Sequence, residues 1–186
     1  MIFHDIGLSG AYLIDPEPKG DERGFFIRTF CTSEFADHDL ETAFVQANTS
    51  WSAVRGTLRG MHYQLPPKSE VKLVRCVRGS VHDVILDLRP DSVTFGRSFG
   101  TRLSAANRRA MYVPRGFAHG FLTLEPDCEV HYLVSAPYAQ ERERGIRWND
   151  PHFAITWPFE PSVLSPRDCS QRDFDPHYHL ESGIGC

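Results

Sequence analysis

The sequence predicts an all-β protein, a sandwich or a barrel built from short strands. Runs rich in Val, Ile, Phe and Thr recur along the chain, and turns containing Gly, Pro or Asp separate them. About nine to eleven such runs can be counted by this pattern. No long segment carries the 3.6-residue apolar period of a helix. Many short strands with frequent turns are typical of sandwiches and barrels.

Composition favours one globular domain and excludes several classes of partner. The chain has 186 residues, of which 41% are hydrophobic and 24% are charged, and a net charge of −4. This charge gives no reason to expect nucleic acid or an anionic membrane as a partner. We expect a single domain over residues 1–176, followed by a loose tail over residues 177–186. Five scattered cysteines without a C-x-x-C motif indicate reduced thiols in a cytoplasm.

The first forty residues predict strands and one short helix. Residues 1–15 favour one or two strands, followed by a turn-rich segment. Within Phe25–Phe30, one set of alternate residues is Phe25, Ile27 and Thr29 and the other is Phe26, Arg28 and Phe30, as in a half-buried strand. Thr32 or Ser33 is expected to cap a short helix over residues 33–40.

The rest of the chain continues in strands. Residues 81–90 are so rich in Val, Ile and Leu that burial on both faces is expected. A short helix is expected near residues 167–172. Further strands are expected over residues 44–52, 97–104, 110–113 and 129–135.

The stretch over residues 56–78 concentrates the polar groups of a possible site. Two successive prolines divide it into strand, stiff turn and strand, because proline lacks the amide hydrogen that a strand interior needs. Side chains on a strand alternate between faces, so His62 and Gln64 project together. With Lys72 on the second strand, a base, an amide and cations meet on one surface. This indicates a site for an anionic substrate.

A metal site is not expected here. Barrels of this kind often bind metal through H-x-H, a nearby Glu, and a later His in P-x-G-x-x-H. Residues 114–119 supply the later His119, and Glu70 could supply the acid. The H-x-H position instead carries His62 and Gln64, and a neutral amide in place of an imidazole weakens a Zn, Fe or Mn site.

Without a metal, His62 can act as a general base if a carboxylate orients it and stabilises its cation. A strand histidine can equally be a satisfied core group, and an inward Tyr132 can simply fill a barrel. Nothing near His82 or His131 favours a function, and His177 and His179, which form an H-x-H in the tail, are expected to be solvated.

Two arginines suggest a phosphate site. Arg23 and Arg59 each precede a glycine within an aromatic or apolar strand. Cations held there need anionic partners, and arginine binds a diphosphate bidentately. Neither the P-loop nor the Rossmann glycine motif occurs in the chain.

A series of ordered polar motifs runs from Asp21 to Asp168: DERGFF, QANTS, GTLRGMHYQLPP, KLVR, DLRPDSVTFG, VPRGFAHGF, the Tyr of EVHYLVS, ERGIRWNDP, ITWP and SPRD. Together they resemble the motifs of the dTDP-4-dehydrorhamnose 3,5-epimerase family of cupins. The resemblance implies a jelly-roll subunit and a homodimer. It also implies epimerisation of a nucleotide-diphosphate 4-keto-6-deoxy sugar without a metal or other cofactor.

The resemblance assigns roles to individual residues. It implies that His62 is the base, Asp168 its carboxylate partner and Tyr132 the acid that reprotonates the other face. Lys72 is implied to lie beside the developing enolate oxygen, where preorganised charge is most useful, and Tyr138 to stack on the nucleotide base. The implied substrate-binding residues are Arg23, Gln46, Asn48, Arg59, Lys72, His119 and Glu143.

Two residues depart from the family pattern. Arg28 stands where the family usually has an acid, so it can contact the nucleotide, pair with an acid such as Glu143, or point to solvent. Arg167 replaces a lysine, which keeps the charge but changes its geometry. Both are candidate substrate-binding residues. They leave the nucleotide and the sugar open.

We therefore predict a cytoplasmic epimerase that converts dTDP-4-dehydro-6-deoxyglucose to dTDP-4-dehydrorhamnose in deoxysugar biosynthesis. One alternative is a related epimerase that uses another nucleotide, such as CDP, or inverts one carbon only. Others are a metal-dependent cupin enzyme and a sugar-binding cupin without turnover.

Overall fold

A computed structural model describes residues 1–180 and 184, and over these residues thirteen short strands and three short helices are found. The strands are β1 (Ile2–Asp5), β2 (Tyr12–Asp15), β3 (Lys19–Asp21), β4 (Gly24–Phe26), β5 (Gln46–Ser52), β6 (Leu58–Gln64), β7 (Lys72–Arg78), β8 (Ser80–Asp87), β9 (Ser98–Ser104), β10 (Ala110–Val113), β11 (Phe117–Thr123), β12 (Cys128–Val134) and β13 (Glu143–Gly145). The helices are α1 (Thr32–Ala36), α2 (Pro166–Cys169) and α3 (Pro176–His179). No helix in the described part of the chain is long and apolar enough to cross a membrane.

Two antiparallel sheets form the body of the protein. One has the strand order β1-β2-β10-β7-β12-β5 and the other β13-β6-β11-β8-β9. Side chains of both sheets meet in one buried cluster, which includes Val74, Ile85, Met111 and Val130. Neighbouring strands are mostly far apart in sequence, which is the pattern of a jelly roll. The predicted cupin-type jelly-roll fold is confirmed.

A second apolar cluster covers the outer face of the five-stranded sheet. Met61 and Leu86 of this sheet pack there against Ile146 and Ile155 of the C-terminal segment. The sheet is therefore buried on both faces, as its run of Val, Ile and Leu predicts. Of the eight residues of β8, seven are buried.

The expectation of a half-buried strand over Phe25–Phe30 is wrong. Strands β3 and β4 pair only with each other and form a hairpin outside the two large sheets. The side chains of Phe25 and Phe26 therefore stay exposed, at 53% and 65%. Helix α1 also begins one residue early, after Cys31, which makes no side-chain capping hydrogen bond.

The prediction of a loose, solvated tail is wrong for His179 and Ile184, which are both buried. His179 of α3 is buried, its Nε2 lies 3.2 Å from the carbonyl oxygen of Gly145, and its own carbonyl accepts a hydrogen bond from the Tyr63 hydroxyl. Ile184 is buried in the second cluster. The outer face of the sheet is apolar and must be covered, and this segment covers part of it. His177 is exposed as expected, whereas residues 181–183, 185 and 186 lie outside the described residues.

Candidate active site

A cavity with two lobes opens between the two large sheets. The two lobes have lining residues on β6, β7 and β12 in common. The larger lobe has a volume of about 690 Å³ and the smaller about 260 Å³. His62, Lys72 and Tyr132 line both lobes. The larger lobe also contains Arg59, His119, Arg167 and Asp168. The smaller lobe also contains Gln46, Asn48, Gln64, Glu70, Tyr138 and Glu143.

His62 is paired with Asp168, a residue 106 positions away in the sequence. His62 Nε2 lies 2.6 Å from Asp168 Oδ1, and the Asp168 side chain is only 5% exposed. Ser165 caps α2 by accepting a hydrogen bond from the Asp168 amide, and its hydroxyl donates to Asp168 Oδ2 at 2.9 Å. An imidazole whose Nε2 donates to a carboxylate keeps its other nitrogen free to accept a proton.

The pairing sets the charge of Asp168. Burial disfavours the charged form, but the hydrogen bonds from His62 and Ser165 outweigh it. They hold the pKa of the Asp168 carboxyl below its ordinary value. Asp168 is thus a carboxylate at neutral pH and can stabilise a protonated His62.

Lys72 is the first residue of β7, and its side chain lines both lobes where they meet. Its side chain is 12% exposed, and its ammonium lies 3.2 Å from the His62 carbonyl oxygen and 3.2 Å from Glu70 Oε1. The charge is therefore held at a defined point beside His62. Such a preorganised cation can stabilise an oxyanion that forms in the cavity.

Tyr132 approaches the cavity from the sheet opposite His62. It lies on β12, where its register partners are Asn48 of β5 and Val74 of β7. His62 lies on β6 of the other sheet. A molecule bound between them would have a base on one side and a phenol on the other.

Hydrogen bonds with neighbouring residues hold Arg59 and His119 of the larger lobe in place. Arg59 donates to Ser52 Oγ at 3.2 Å and to the Trp51 carbonyl oxygen at 2.9 Å. His119 Nε2 lies 2.7 Å from Oδ2 of the fully buried Asp83. The sequence reasoning missed Asp83, although a carboxylate in a strand buried on both faces is itself a signal, because it needs a partner.

A hydrogen-bonded cluster joins α2 to β13 at the mouth of the smaller lobe. Glu143 Oε2 lies 2.5 Å from Arg167 and accepts a hydrogen bond from the Tyr138 hydroxyl at 2.7 Å. The bond to the Glu143 carboxylate raises the pKa of Tyr138. Gln46 Oε1 accepts from the Tyr138 amide, which fixes the backbone of that residue. The Tyr138 residue stays 59% exposed, so its ring is accessible for stacking.

Gln64 serves the backbone around the smaller lobe. Its Nε2 donates to the Lys68 carbonyl oxygen at 2.8 Å, and its Oε1 accepts from the Ala139 amide at 2.6 Å. Its amide thus holds two loops together. Over residues 1–180 and 184, no group of three or more His, Cys, Asp or Glu side chains is arranged to hold a metal ion.

The structure does not bring Arg23 and Arg28 into the cavity of their own chain. Arg23 lies on the turn of the β3–β4 hairpin, where its side chain is 86% exposed and pairs with Asp21. Arg28 pairs with Glu34 at 3.2 Å, in a separate cavity. The possible pairing of Arg28 with Glu143 is therefore wrong. The hairpin makes no strand pairing with the large sheets, so its side chains are not directed into the space between them.

Known proteins resemble this chain along most of its length. The model of the dTDP-4-dehydrorhamnose 3,5-epimerase family matches residues 5–175. The enzyme of that name from Methanothermobacter thermautotrophicus is 48% identical over 89% of this chain and 90% of its own. The dTDP-4-dehydrorhamnose 3-epimerase of Streptomyces niveus is 40% identical over 90% of this chain and 81% of its own.

A solved structure extends the similarity to the fold. The Bacillus anthracis dTDP-4-dehydrorhamnose 3,5-epimerase, with TDP and PPi bound, has a TM-score of 0.90 and 40% identity. The match covers 93% of this chain and 99% of that one. This chain belongs to the dTDP-4-dehydrorhamnose 3,5-epimerase family.

Proposed function

We propose that this protein epimerises a 4-keto-6-deoxyhexose carried on dTDP. One observation carries the proposal: His62 and Tyr132 enter the same cavity from opposite sheets, and Lys72 lines both lobes together with them. Inversion of a carbon needs removal of a proton from one face and its return to the other. This arrangement offers a base to remove the proton, an acid to supply one on the other face, and a cation to stabilise the charge that forms in between.

His62 takes the proton in the first step. A ketone acidifies the C–H bonds on its two neighbouring carbons, C3 and C5. The free ring nitrogen of His62 accepts the proton, and the Asp168 carboxylate at 2.6 Å stabilises the imidazolium that forms. General-base catalysis of this kind is typically worth about 10²–10⁴ in rate.

Lys72 and Tyr132 complete the reaction. When the proton leaves, negative charge develops on the C4 oxygen, and the Lys72 ammonium stabilises it. Tyr132 then donates its phenolic proton to the opposite face of the same carbon. Both lobes meet at these residues, so the sugar occupies their junction.

The remaining groups bind the nucleotide diphosphate. Arg59 and Arg167 supply the cationic character of the larger lobe, which His119 also lines, and phosphate oxygens pair well with arginine. The exposed ring of Tyr138 stacks on the base. The relative with TDP bound supports dTDP as the carrier, and CDP is the alternative.

A second candidate reaction is inversion of C3 alone. The similarity to the Streptomyces niveus 3-epimerase favours it. Both reactions use the same base, acid and cation. They differ in whether Tyr132 and His62 also reach C5.

A homodimer belongs to the same proposal. Phe26 and the neighbouring Arg23 are exposed on a hairpin that pairs with no strand of its own body. A second copy of the chain that covers the hairpin would bury the ring of Phe26. Arg23 and Arg28 would then contact the anionic substrate bound in the cavity of that second copy. Light scattering tests the dimer. A monomer at micromolar concentration would contradict it.

We place the reaction in the cytoplasm. Free cysteines support a reducing compartment: those described by the structure are Cys31, Cys76, Cys128 and Cys169.

Deuterium incorporation tests the proposed reaction. The protein is incubated with dTDP- or CDP-4-keto-6-deoxyglucose in deuterated water, and NMR follows C3 and C5. We expect exchange at both carbons with the dTDP substrate, and exchange at C3 alone would favour the second candidate. Absence of exchange with both nucleotides would contradict the proposal.

A further inference from the structure

Glu70 places a carboxylate in the cavity that the mechanism above does not use. It precedes Lys72 by two residues, and the alternation of an extended chain puts both side chains on the same face. The Glu70 side chain is only 7% exposed, and it lines the smaller lobe. A buried carboxylate needs hydrogen-bond or charge partners, because burial removes its hydration.

The partners of Glu70 account for only one of its oxygens. Oε1 lies 3.2 Å from the Lys72 ammonium. Oε2 is buried and has no hydrogen-bond partner within residues 1–180 and 184. A buried carboxylate oxygen without a donor is unfavourable, and Glu70 carries this oxygen in the lining of the smaller lobe. The terminal torsion of a glutamate is broad, so the carboxylate can turn to share its oxygens between the ammonium and a ligand.

Lys72 and Glu70 together match a specific chemical group. The ammonium only donates and the carboxylate only accepts, and they lie about one hydrogen-bond length apart. A ketone with a hydroxyl on the next carbon offers the complement, an accepting oxygen beside a donating one. In a 4-keto-6-deoxyhexose the C3 hydroxyl is that neighbour, whereas C5 carries a methyl group.

We propose that Glu70 is a substrate-binding residue that accepts a hydrogen bond from the hydroxyl beside the ketone while Lys72 holds the ketone oxygen. This rests on the proposed function, because it requires a keto sugar in the cavity. The pair then selects for α-hydroxy ketones. A site built to bind a hydroxyl discriminates against the analogue that lacks it, since its polar group is left unpaired.

Two substrates separate this role from simple support of Lys72. One is dTDP-4-keto-6-deoxyglucose, and the other is its analogue without the C3 hydroxyl. Affinity is measured by calorimetry, and exchange at C5, which both substrates retain, by NMR. The wild-type protein is expected to prefer the hydroxylated sugar about 10- to 100-fold, as loss of one charged hydrogen bond implies.

Substitution of Glu70 should reduce or remove the preference for the hydroxylated sugar. Glu70→Ala is expected to bind both sugars within about threefold of each other, and Glu70→Gln to keep part of the preference, because an amide oxygen still accepts. Ser69→Ala is the matched control: Ser69 is the buried neighbour, lines neither lobe, and its loss should leave the preference unchanged. Melting curves confirm that each variant is folded.

Two results would overturn the inference. An equal loss of affinity for both sugars in Glu70→Ala would mean that Glu70 only orients Lys72, and unchanged affinities for both would mean that it contacts no hydroxyl. Failure of the proposed function is distinguishable. A wild-type protein that binds both sugars but exchanges neither contradicts the epimerase, while the ratio of affinities still decides the role of Glu70.

Discussion

His62 and His119 lie opposite each other in the register of β6 and β11, and each is bonded to a carboxylate. The nitrogen–oxygen distances are 2.6 Å to Asp168 and 2.7 Å to Asp83. The bonding is nearly the same, so the two pairs differ mainly in their surroundings. The His62 side chain is 30% exposed and borders both lobes, whereas that of His119 is 10% exposed and borders only the larger.

The carboxylates also come from different places. Asp83 lies within β8, in the interior of a sheet, and is fully buried. Asp168 lies on α2, where Ser165 caps the helix and donates to the carboxylate. A histidine–carboxylate pair is thus not by itself a catalyst. His62 is the base in our account because Lys72 and Tyr132 share its position at the junction of the lobes, and His119 binds the substrate.

The largest expected effect is that of His62→Ala. Exchange at C3 and C5 should fall by about 10²–10⁴, since one base serves both carbons. Deuterium incorporation followed by NMR measures the loss. Near-normal exchange in this variant would mean that another residue, with His119 the first candidate, removes the proton.

Asp168→Asn should have a smaller effect on exchange and a distinctive effect on stability. The folded protein lowers the pKa of Asp168, so the carboxylate stabilises the fold above its ordinary pKa of 3.8 and loses this contribution as pH falls below that value. At neutral pH, we expect a loss of about 1–3 kcal/mol in the free energy of unfolding, as for a hydrogen bond to a charged group.

Urea unfolding of the wild type and Asp168→Asn at several pH values checks this difference. The two curves should converge as the solution is acidified below pH 3.8. A difference that stayed constant down to strongly acidic pH would show that the carboxylate charge is not its cause.

His119→Ala sharpens the contrast between the pairs. Because His119 is assigned to substrate binding, KM should rise about tenfold while kcat changes by only a few-fold, as for an interaction made equally before and during the reaction. Steady-state kinetics separates the two parameters. A fall in kcat as large as that of His62→Ala would remove the distinction between the pairs.

The smallest effect is expected from a metal chelator. Gln64 stands where a second imidazole ligand would be, its amide is bonded to backbone groups, and Lys72 can supply the electrophilic charge. Activity should therefore be unchanged by EDTA. Loss of activity that one particular divalent ion restores would contradict this.

Local patterns in the sequence predicted most of the strands, whereas the jelly roll itself was implied by the family resemblance. Alternation identified β12, and the apolar run at β8 predicted a strand buried on both faces, because these features depend on the segment alone. The hairpin at Phe25 and Phe26 was misjudged, since alternation cannot show whether a strand has a sheet to join. The burial of His179 was also missed, because it depends on an apolar face formed by distant residues.

The site was predicted mainly through its motifs. The motifs named His62, Lys72, Tyr132 and Asp168, which the structure brings together around one cavity, and their catalytic roles stay predictions. Spacing alone could not pair His62 with a residue 106 positions away, since that contact exists only after the chain has folded back. Arg23 could not be placed either, because its position depends on a hairpin that lies outside the body of its own chain.

The central claim is that His62 removes the proton and Tyr132 returns one to the opposite face. Tyr132→Phe tests it most directly, by measuring deuterium incorporation and net epimerisation in the same NMR samples. We predict that exchange persists while epimerisation falls, because His62 can still remove the proton and return it on its own side. An equal loss of both would contradict the account, since Tyr132 would then shape the cavity rather than donate a proton.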